Sequence, residues 1–294
     1  MIYRFYTVDV FTEQPFAGNP LAVFPDAKGL SDEQMQCVAR EMNLSETTFV
    51  FAPDDARNAA KVRIFTPSEE LPFAGHPTLG TAHVLVTSGA VATNGTVVLE
   101  EGVGPIAVSV TRDGARTNAQ FSVAQLPIIG PPPPSRDAVA RVLSIASDDI
   151  VGPIEGVSCG VPYLFVPLRG LEVMKSIRID AARWEQTIAS YWAKGVFVWT
   201  RETVHAADIH ARMFFTTTAI LEDPATGSAA AAFAGHLGPR EGADTGTVRW
   251  RIEQGLEMQR PSFLEVEADK ENGRIVAVRV GGSTVSISSG EMEI

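Results

Sequence analysis

The spacing of hydrophobic residues predicts a mixture of strands and helices in the first half of the chain. Apolar residues recur every three to four positions through 35–42, which predicts a helix that starts with a capping box at Ser31 and ends near Asn43. An apolar run over 78–88, closed by Gly89, predicts a buried helix. The predicted strands are 3–11, 20–24, 47–51, 61–66, 96–100, 105–111 and 118–124. This order differs from the regular strand–helix alternation of a Rossmann or TIM sheet.

Four consecutive prolines, Pro131–Pro134, separate this region from the rest of the chain. Proline cannot continue a helix or a central strand, so the run predicts an extended spacer. Beyond it, the pattern predicts helices at 135–146, 181–193 and 229–237. The predicted strands are 161–168, 196–200, 209–217, 247–253, 262–268, 274–280 and 283–289.

One arrangement of residues occurs in both halves of the chain. Arg63–Phe65 precedes an acidic loop rich in proline and glycine and then an apolar helix, and Arg212–Phe214 precedes a similar loop, Glu222–Ser228, and an alanine-rich helix. Together with the proline spacer, this internal repeat predicts two similar lobes.

Each lobe would then place one buried helix behind a loop that contains glycine. The first N–H groups of a helix and its positive dipole end attract anions. Two such helix ends facing one cleft would hold an anion, most simply a substrate carboxylate. The spacing alone also fits two core helices that use glycine only for close packing.

Composition narrows the class of protein. The 294 residues are enough for two domains, and a formal charge of −11 without a basic stripe argues against nucleic acid or an anionic membrane as a partner. Two cysteines, Cys37 and Cys159, exclude a disulfide framework. The N-terminus lacks the layout of a signal peptide and no apolar run is long enough to span a membrane. We therefore expect a reduced, cytoplasmic protein without a metal site.

Several side chains are candidates for chemistry. Glu46 lies at a junction between a helix and a strand, where partial burial would raise its pKa toward values useful for proton transfer, although a lone glutamate at such a position is more often a solvated loop acid or a cap. Asp223 could cap the following helix, face the cleft, or do both. His76 could donate or pass a proton, or serve the structure alone. Ser228 has no adjacent base, which favours hydrogen bonding over nucleophilic attack.

These motifs together resemble the PhzF family of phenazine biosynthesis. The segments that carry the resemblance are VDVFTEQPFAGNPLAVF (8–24), EMNLSETTFV (41–50), RIFTPSEELPFAGHPTLGTA (63–82), EDPATGSAAAAFAGHL (222–237) and IEQGLEMQRPS (252–262). The resemblance covers nearly the whole chain and is weakest between 125 and 205. It implies an α+β fold like that of diaminopimelate epimerase, in which two pseudo-symmetric lobes each wrap a curved, mostly antiparallel sheet around a central helix. The lobes would be 1–124 with about 281–294, and 125–280.

The resemblance also implies an activity. In the phenazine enzyme, a glutamate moves a proton within trans-2,3-dihydro-3-hydroxyanthranilate without a cofactor. The family motifs place that residue at Glu46 and its catalytic partners at His76 and Asp223. Gly75, together with Thr226–Ser228 (Thr226, Gly227 and Ser228), would bind a small carboxylated substrate. The family resemblance further implies a homodimer.

Two alternatives stay open from the sequence. The first is an amino-acid epimerase or racemase, but the loop positions that carry thiols in diaminopimelate epimerase are Ala74 and Pro224 in this chain. The second is a protein that binds a small anion without turnover. The chain departs from the family pattern at Gln259 and at Ala229–Phe233, and the latter stretch belongs to the buried helix predicted at 229–237.

Overall fold

The computed structural model describes residues 1–92, 94–114, 116–216 and 220–294. The chain divides into two units: unit 1 comprises Met1–Ser122 with Val280–Ile294, and unit 2 comprises Val123–Arg279. Among the described residues, no helix has the length and apolar character needed to cross a membrane.

Both units combine strands with a few helices. The elements that begin in unit 1 are β1 (Ile2–Val10), β2 (Asn19–Phe24), α1 (Asp32–Met42), β3 (Glu46–Phe51), β4 (Ala60–Phe65), β5 (Glu70–Leu71), α2 (Gly75–Thr87), β6 (Gly95–Glu101), β7 (Gly104–Asp113) and β8 (Arg116–Ser122). Those that begin in unit 2 are β9 (Ile128–Ile129), α3 (Arg136–Leu143), β10 (Glu155–Ser158), β11 (Pro162–Pro167), α4 (Leu171–Ser176), α5 (Ala181–Thr187), β12 (Gly195–Thr200), β13 (Ile209–Thr216), β14 (Ile220–Asp223), α6 (Gly227–Leu237), β15 (Gly246–Gln254), β16 (Ser262–Glu271) and β17 (Arg274–Glu293). Short 3-10 helices lie at Ser147–Asp149, Gly238–Arg240 and Leu256–Met258.

The strands of unit 1 close into a ring around α2. Neighbouring strands pair in the order β1, β2, β3, β4, β6, β7, β8 and β17, and β17 pairs back onto β1. Helix α2 contacts β1, β2, β3, β6, β7 and β8, and each of its residues from Gly75 to Val86 is buried. A helix without a polar face is stable only when it is surrounded in this way. The ring also leaves these strands without open edges.

Unit 2 repeats this topology. Strands β11 and β12 are parallel, β12 and β13 antiparallel, β13 and β15 parallel, and β15 and β16 antiparallel. Strands β2, β3, β4, β6 and β7 of unit 1 show the same sequence of parallel and antiparallel pairs. The buried helix α6 follows β14 as α2 follows β5, and it contacts β9, β10, β11 and β16. The predicted α+β fold with two pseudo-symmetric lobes is therefore confirmed.

A second layer of helices packs outside each curved sheet. In unit 1, α1 covers an aromatic cluster in which the Phe24 and Phe49 rings stack with their centroids 5.2 Å apart. In unit 2, Trp184 of α5 is fully buried at the centre of a cluster that includes α3, α4 and β12. The site-bearing helices α2 and α6 thus lie on the inner side of each sheet.

Some predicted boundaries were wrong. The helix predicted at 181–193 ends at Thr187, because the turn that follows still buries Ile188 and Ala193 and so extends the apolar pattern. The strands predicted at 274–280 and 283–289 form one strand, β17, whose second half pairs with β1. The strands β5, β9, β10 and β14 and the helix α4 were not predicted, and they span only two to six residues each. Residue 217, the predicted end of one strand, lies outside the described residues.

A buried network of charged groups connects β13 to β15 in unit 2. His210 Nδ1 lies 2.8 Å from Glu253 Oε1, and His210 Nε2 lies 3.1 Å from Glu257 Oε1. Glu253 also accepts hydrogen bonds from the backbone N–H groups of Val204 and His205 at 2.6 and 2.9 Å. Burial alone would lower the pKa of His210, but its hydrogen bonds to the two carboxylates outweigh burial and raise the pKa to about 9.

We expect this network to make stability depend on pH. The pKa of His210 is higher in the folded protein than in the unfolded chain. The contribution of His210 to the free energy of unfolding is therefore complete below the unfolded pKa of about 6.5 and disappears as the pH rises through about 9. Over that window the free energy of unfolding of the parent should fall relative to that of His210→Asn by on the order of 2 kcal/mol. Urea unfolding at several pH values measures this difference. Equal pH dependence of the parent and His210→Asn would contradict the assignment.

Gly80 allows α2 to approach the ring of unit 1. A Cβ at this position would lie 2.6 Å from Leu21 Cδ2 and 2.9 Å from Val10 Cγ2, both on buried side chains. We expect Gly80→Ala to destabilise the protein by about 1–3 kcal/mol, despite the higher helix propensity of alanine. Leu21→Val removes the nearest atom, so the double variant should be about 1 kcal/mol more stable than the sum of the single changes. Chemical denaturation tests this, and a Gly80→Ala protein as stable as the parent would exclude the close approach.

Candidate active site

Glu46 and His76 meet at one end of unit 1. Glu46 is the first residue of β3, directly after the turn that ends α1 at Asn43, and His76 is the second residue of α2. Glu46 Oε2 lies 3.1 Å from His76 Nε2, and the two side chains are 16% and 6% exposed. The structure therefore brings together the two residues of unit 1 predicted to act in catalysis.

The charge state of His76 follows from burial. Burial lowers the pKa of the imidazole well below its usual range, although the Glu46 carboxyl group lies 3.1 Å away. His76 is therefore neutral at pH 7, and its Nε2 can either donate a proton to Glu46 or accept one from it. When a neutral imidazole lies beside a carboxyl group, a proton can reside on either of the two groups, as general acid–base catalysis requires.

The start of α2 adds a group that attracts anions. The N-cap residue is Ala74, which is extended and has no side chain able to bond the first turn. Gly75 and His76 begin the helix, and Pro77 has no N–H group. The N–H groups of the first turn have no partner within the helix, and the dipole makes this end positive. Gly75, predicted to bind substrate, is thus located where an anion would be stabilised.

The predicted site residues of unit 2 surround the start of α6. Asp223 ends β14, and the Thr226 hydroxyl donates a hydrogen bond to its carboxylate. The N-cap of α6 is Thr226, so the possibility that Asp223 is the N-cap was wrong. Gln254 stabilises both residues, because its Nε2 lies 2.7 Å from the Asp223 carbonyl oxygen and 3.2 Å from Thr226 Oγ1.

Gly255 brings the end of β15 against this loop. Its φ is +78°, and a Cβ there would lie 2.6 Å from the carbonyl oxygen of Pro224. Only glycine adopts this conformation at this distance without strain. The contact holds Gln254 next to the loop that carries Asp223.

Ser228 has a partner that sequence reasoning missed. The hydroxyls of Ser228 and Tyr163 lie 2.6 Å apart, and Tyr163 comes from β11, 65 residues earlier in the chain. No local motif could connect the two. Gln254 was also missed, although it lies within the segment 252–262 that carries the family resemblance.

Neither thiol lies in the loops that precede α2 and α6. Cys37 is exposed on α1, and Cys159 follows β10. Burial raises the pKa of Cys159 to about 12, so its thiol stays protonated and unreactive at neutral pH. Among the described residues, no group of three or more His, Cys, Asp or Glu side chains is arranged to hold a metal ion.

Comparison with known proteins identifies relatives over the full length of the chain. An isomerase of uncharacterised role from Mesorhizobium japonicum is 42% identical over 293 residues, covering 97% of each chain. The trans-2,3-dihydro-3-hydroxyanthranilate isomerase of Pseudomonas chlororaphis is 35% identical, covering 98% of this chain and 99% of its own.

A solved structure and a family model agree with these relatives. The crystal structure of a PhzF-family phenazine biosynthesis protein from Bacillus anthracis aligns over the whole of both chains with a TM-score of 0.90 and 22% identity, which shows the shared fold. The model of phenazine biosynthesis-like proteins, PhzC-PhzF, matches residues 8–290. The chain therefore belongs to the PhzC-PhzF family of phenazine biosynthesis-like proteins.

Proposed function

We propose that this protein is a cofactor-independent isomerase that shifts a proton within a small carboxylated metabolite, either cyclic or unsaturated. The observation that carries the proposal is the buried contact between Glu46 and His76 at the start of α2. The names of its full-length relatives, which include trans-2,3-dihydro-3-hydroxyanthranilate isomerase, support the reaction class. The family resemblance extends the proposal to a homodimer, and the sequence pattern extends it to a cytoplasmic location.

In this mechanism, Glu46 removes a proton from one carbon of the substrate and returns a proton at another carbon. The electrons of the broken C–H bond move into the unsaturated system, and the new C–H bond forms where that system ends. Substrate and product have the same composition and oxidation state, so the step needs no electron acceptor. Neutral His76 supports Glu46 by sharing the proton after it is removed from the first carbon and before it is returned at the second.

The substrate carboxylate is proposed to bind to backbone N–H groups at helix starts. Gly75 belongs to the first turn of α2, and Thr226, Gly227 and Ser228 form the start of α6. Asp223 supports the second set through its contact with Thr226. The chain carries a net charge of −11, so an anionic substrate depends on these local dipoles rather than on the overall field of the protein.

Replacing Glu46 tests the proposal directly. Trans-2,3-dihydro-3-hydroxyanthranilate is the first probe, and deuterium uptake from heavy water into the product is followed by mass spectrometry. Glu46→Gln keeps the size of the side chain but removes its basic oxygen, so exchange and isomerisation should slow by about 10²–10⁴-fold. Unfolding by urea should show a stability close to that of the parent.

Glu41→Gln provides the matched control. This residue is an exposed glutamate on α1, five positions away, and its replacement should leave exchange at the parental rate. If Glu46→Gln exchanges as fast as the parent, Glu46 is not the base. If the parent binds the probe and a panel of small carboxylates but exchanges none of them, the protein is a binding protein rather than an isomerase.

A further inference from the structure

Glu101 is a buried acid that the proposed mechanism does not use. It is the last residue of β6 in unit 1 and is 8% exposed. Its Oε1 lies 2.7 Å from Thr78 Oγ1, and its Oε2 has no hydrogen-bond partner among the described residues. An ionised carboxylate with so few partners would be costly to bury.

The hydroxyl of Thr78 determines where the protons lie. Thr78 Oγ1 is 2.8 Å from the carbonyl oxygen of Ala74 as well as 2.7 Å from Glu101. A hydroxyl has one proton to donate, and a carbonyl oxygen can only accept. If Thr78 donates to Ala74, the contact with Glu101 requires a proton from Glu101. Both hydrogen bonds can therefore exist together only when Glu101 is a neutral carboxylic acid.

The surroundings of Glu101 favour the neutral form. On β6, the adjacent Glu100 points to the opposite face of the strand, where β4 places Lys61 as its register partner. On β7, the residue opposite Glu101 is Gly104, and the titratable residues of α2 are His76 and His83, whose pKa values are both lowered, mainly by burial. Among the described residues no cation offsets the loss of water, so burial raises the pKa of Glu101 to about 8, and the hydrogen bond that Thr78 can donate to the ionised form only partly opposes this.

The hydrogen bonds that link Glu101, Thr78 and Ala74 end at the start of α2, which carries His76. Ala74 is the N-cap of α2, and its carbonyl oxygen also accepts the backbone N–H of Thr78 at 3.2 Å. Gly75 and His76 lie between these two residues. A change in the hydrogen bonds of Ala74 therefore acts directly on the backbone of the first turn of α2.

We propose that Glu101 is a positioning residue: as a neutral acid it donates to Thr78, directs the Thr78 hydroxyl to Ala74, and holds the first turn of α2 in place. When Glu101 loses its proton, the only proton of the Thr78 hydroxyl turns to the carboxylate. Ala74 then loses one of its two hydrogen bonds, and Gly75 and His76 are held less firmly. For its catalytic consequence this inference rests on the proposed function, but the protonation and the backbone response do not.

Glu101→Gln separates the neutral from the ionised form. Glutamine has the same shape and can donate an N–H to Thr78 at every pH. With the dihydro-hydroxyanthranilate probe, the parental rate should fall roughly tenfold for each pH unit above about 8, whereas Glu101→Gln should show no such fall. Glu69→Gln, an exposed glutamate of the same unit, is the matched control and should keep the parental profile.

Two measurements do not depend on activity. In the parent at neutral pH, infrared difference spectra against Glu101→Gln should show the carbonyl band of a protonated carboxyl group, and the band should disappear as the pH passes about 8. Over the same range, the amide NMR signals of Gly75 and His76 should shift in the parent but not in Glu101→Gln. Thr78→Val should keep the infrared band and lose the amide response, because the connecting hydroxyl is gone.

These results distinguish the two proposals. If the probe is not isomerised but the band and the amide shifts behave as expected, the proposed function fails and the role of Glu101 stands. If the carbonyl band is absent at neutral pH, or if Glu101→Gln keeps the alkaline changes of the parent, the inference about Glu101 is overturned.

Discussion

The enclosure of α2 by the strand ring of unit 1 is the constraint on which the rest of that unit depends. Every residue of the helix from Gly75 to Val86 is buried, so the helix has no face that water could stabilise. The ring must approach closely on all sides, which Gly80 permits. Burial then extends to the helix start, where His76 and its partner Glu46 are withdrawn from water.

This enclosure also determines the electrostatics of the candidate site. A helix start without a capping side chain is normally stabilised by water, but α2 begins in a buried environment. The first N–H groups of α2 therefore lie in a buried environment next to the contact between His76 and Glu46. The same burial that lowers the pKa of His76 raises that of Glu101.

The sequence was sufficient for features that depend on neighbours along the chain. The capping box at Ser31 and the end of α1 at Asn43 were predicted and are observed, and Asn43 adopts the left-handed conformation. Contacts between distant residues were not predictable. Tyr163 and Ser228 meet through strand pairing and helix packing, and Glu101 meets Thr78 across 23 residues. The proposed catalytic residues were recognised through the family motifs, because a single glutamate carries no signal of its own.

The histidines show why residue type alone could not assign roles. His76 and His83 both lie on α2, and burial holds both neutral, with the pKa of His83 lowered to about 4. His83 is bound by the hydroxyls of Thr117 and Ser286, which can bond either ring tautomer but supply no charge. His210 is as deeply buried, yet two carboxylates keep it charged. Two carboxylate partners outweigh burial at His210, whereas at His76 burial dominates although Glu46 lies 3.1 Å away. His76 differs from the others in that its partner, Glu46, is itself a candidate proton carrier at a helix start.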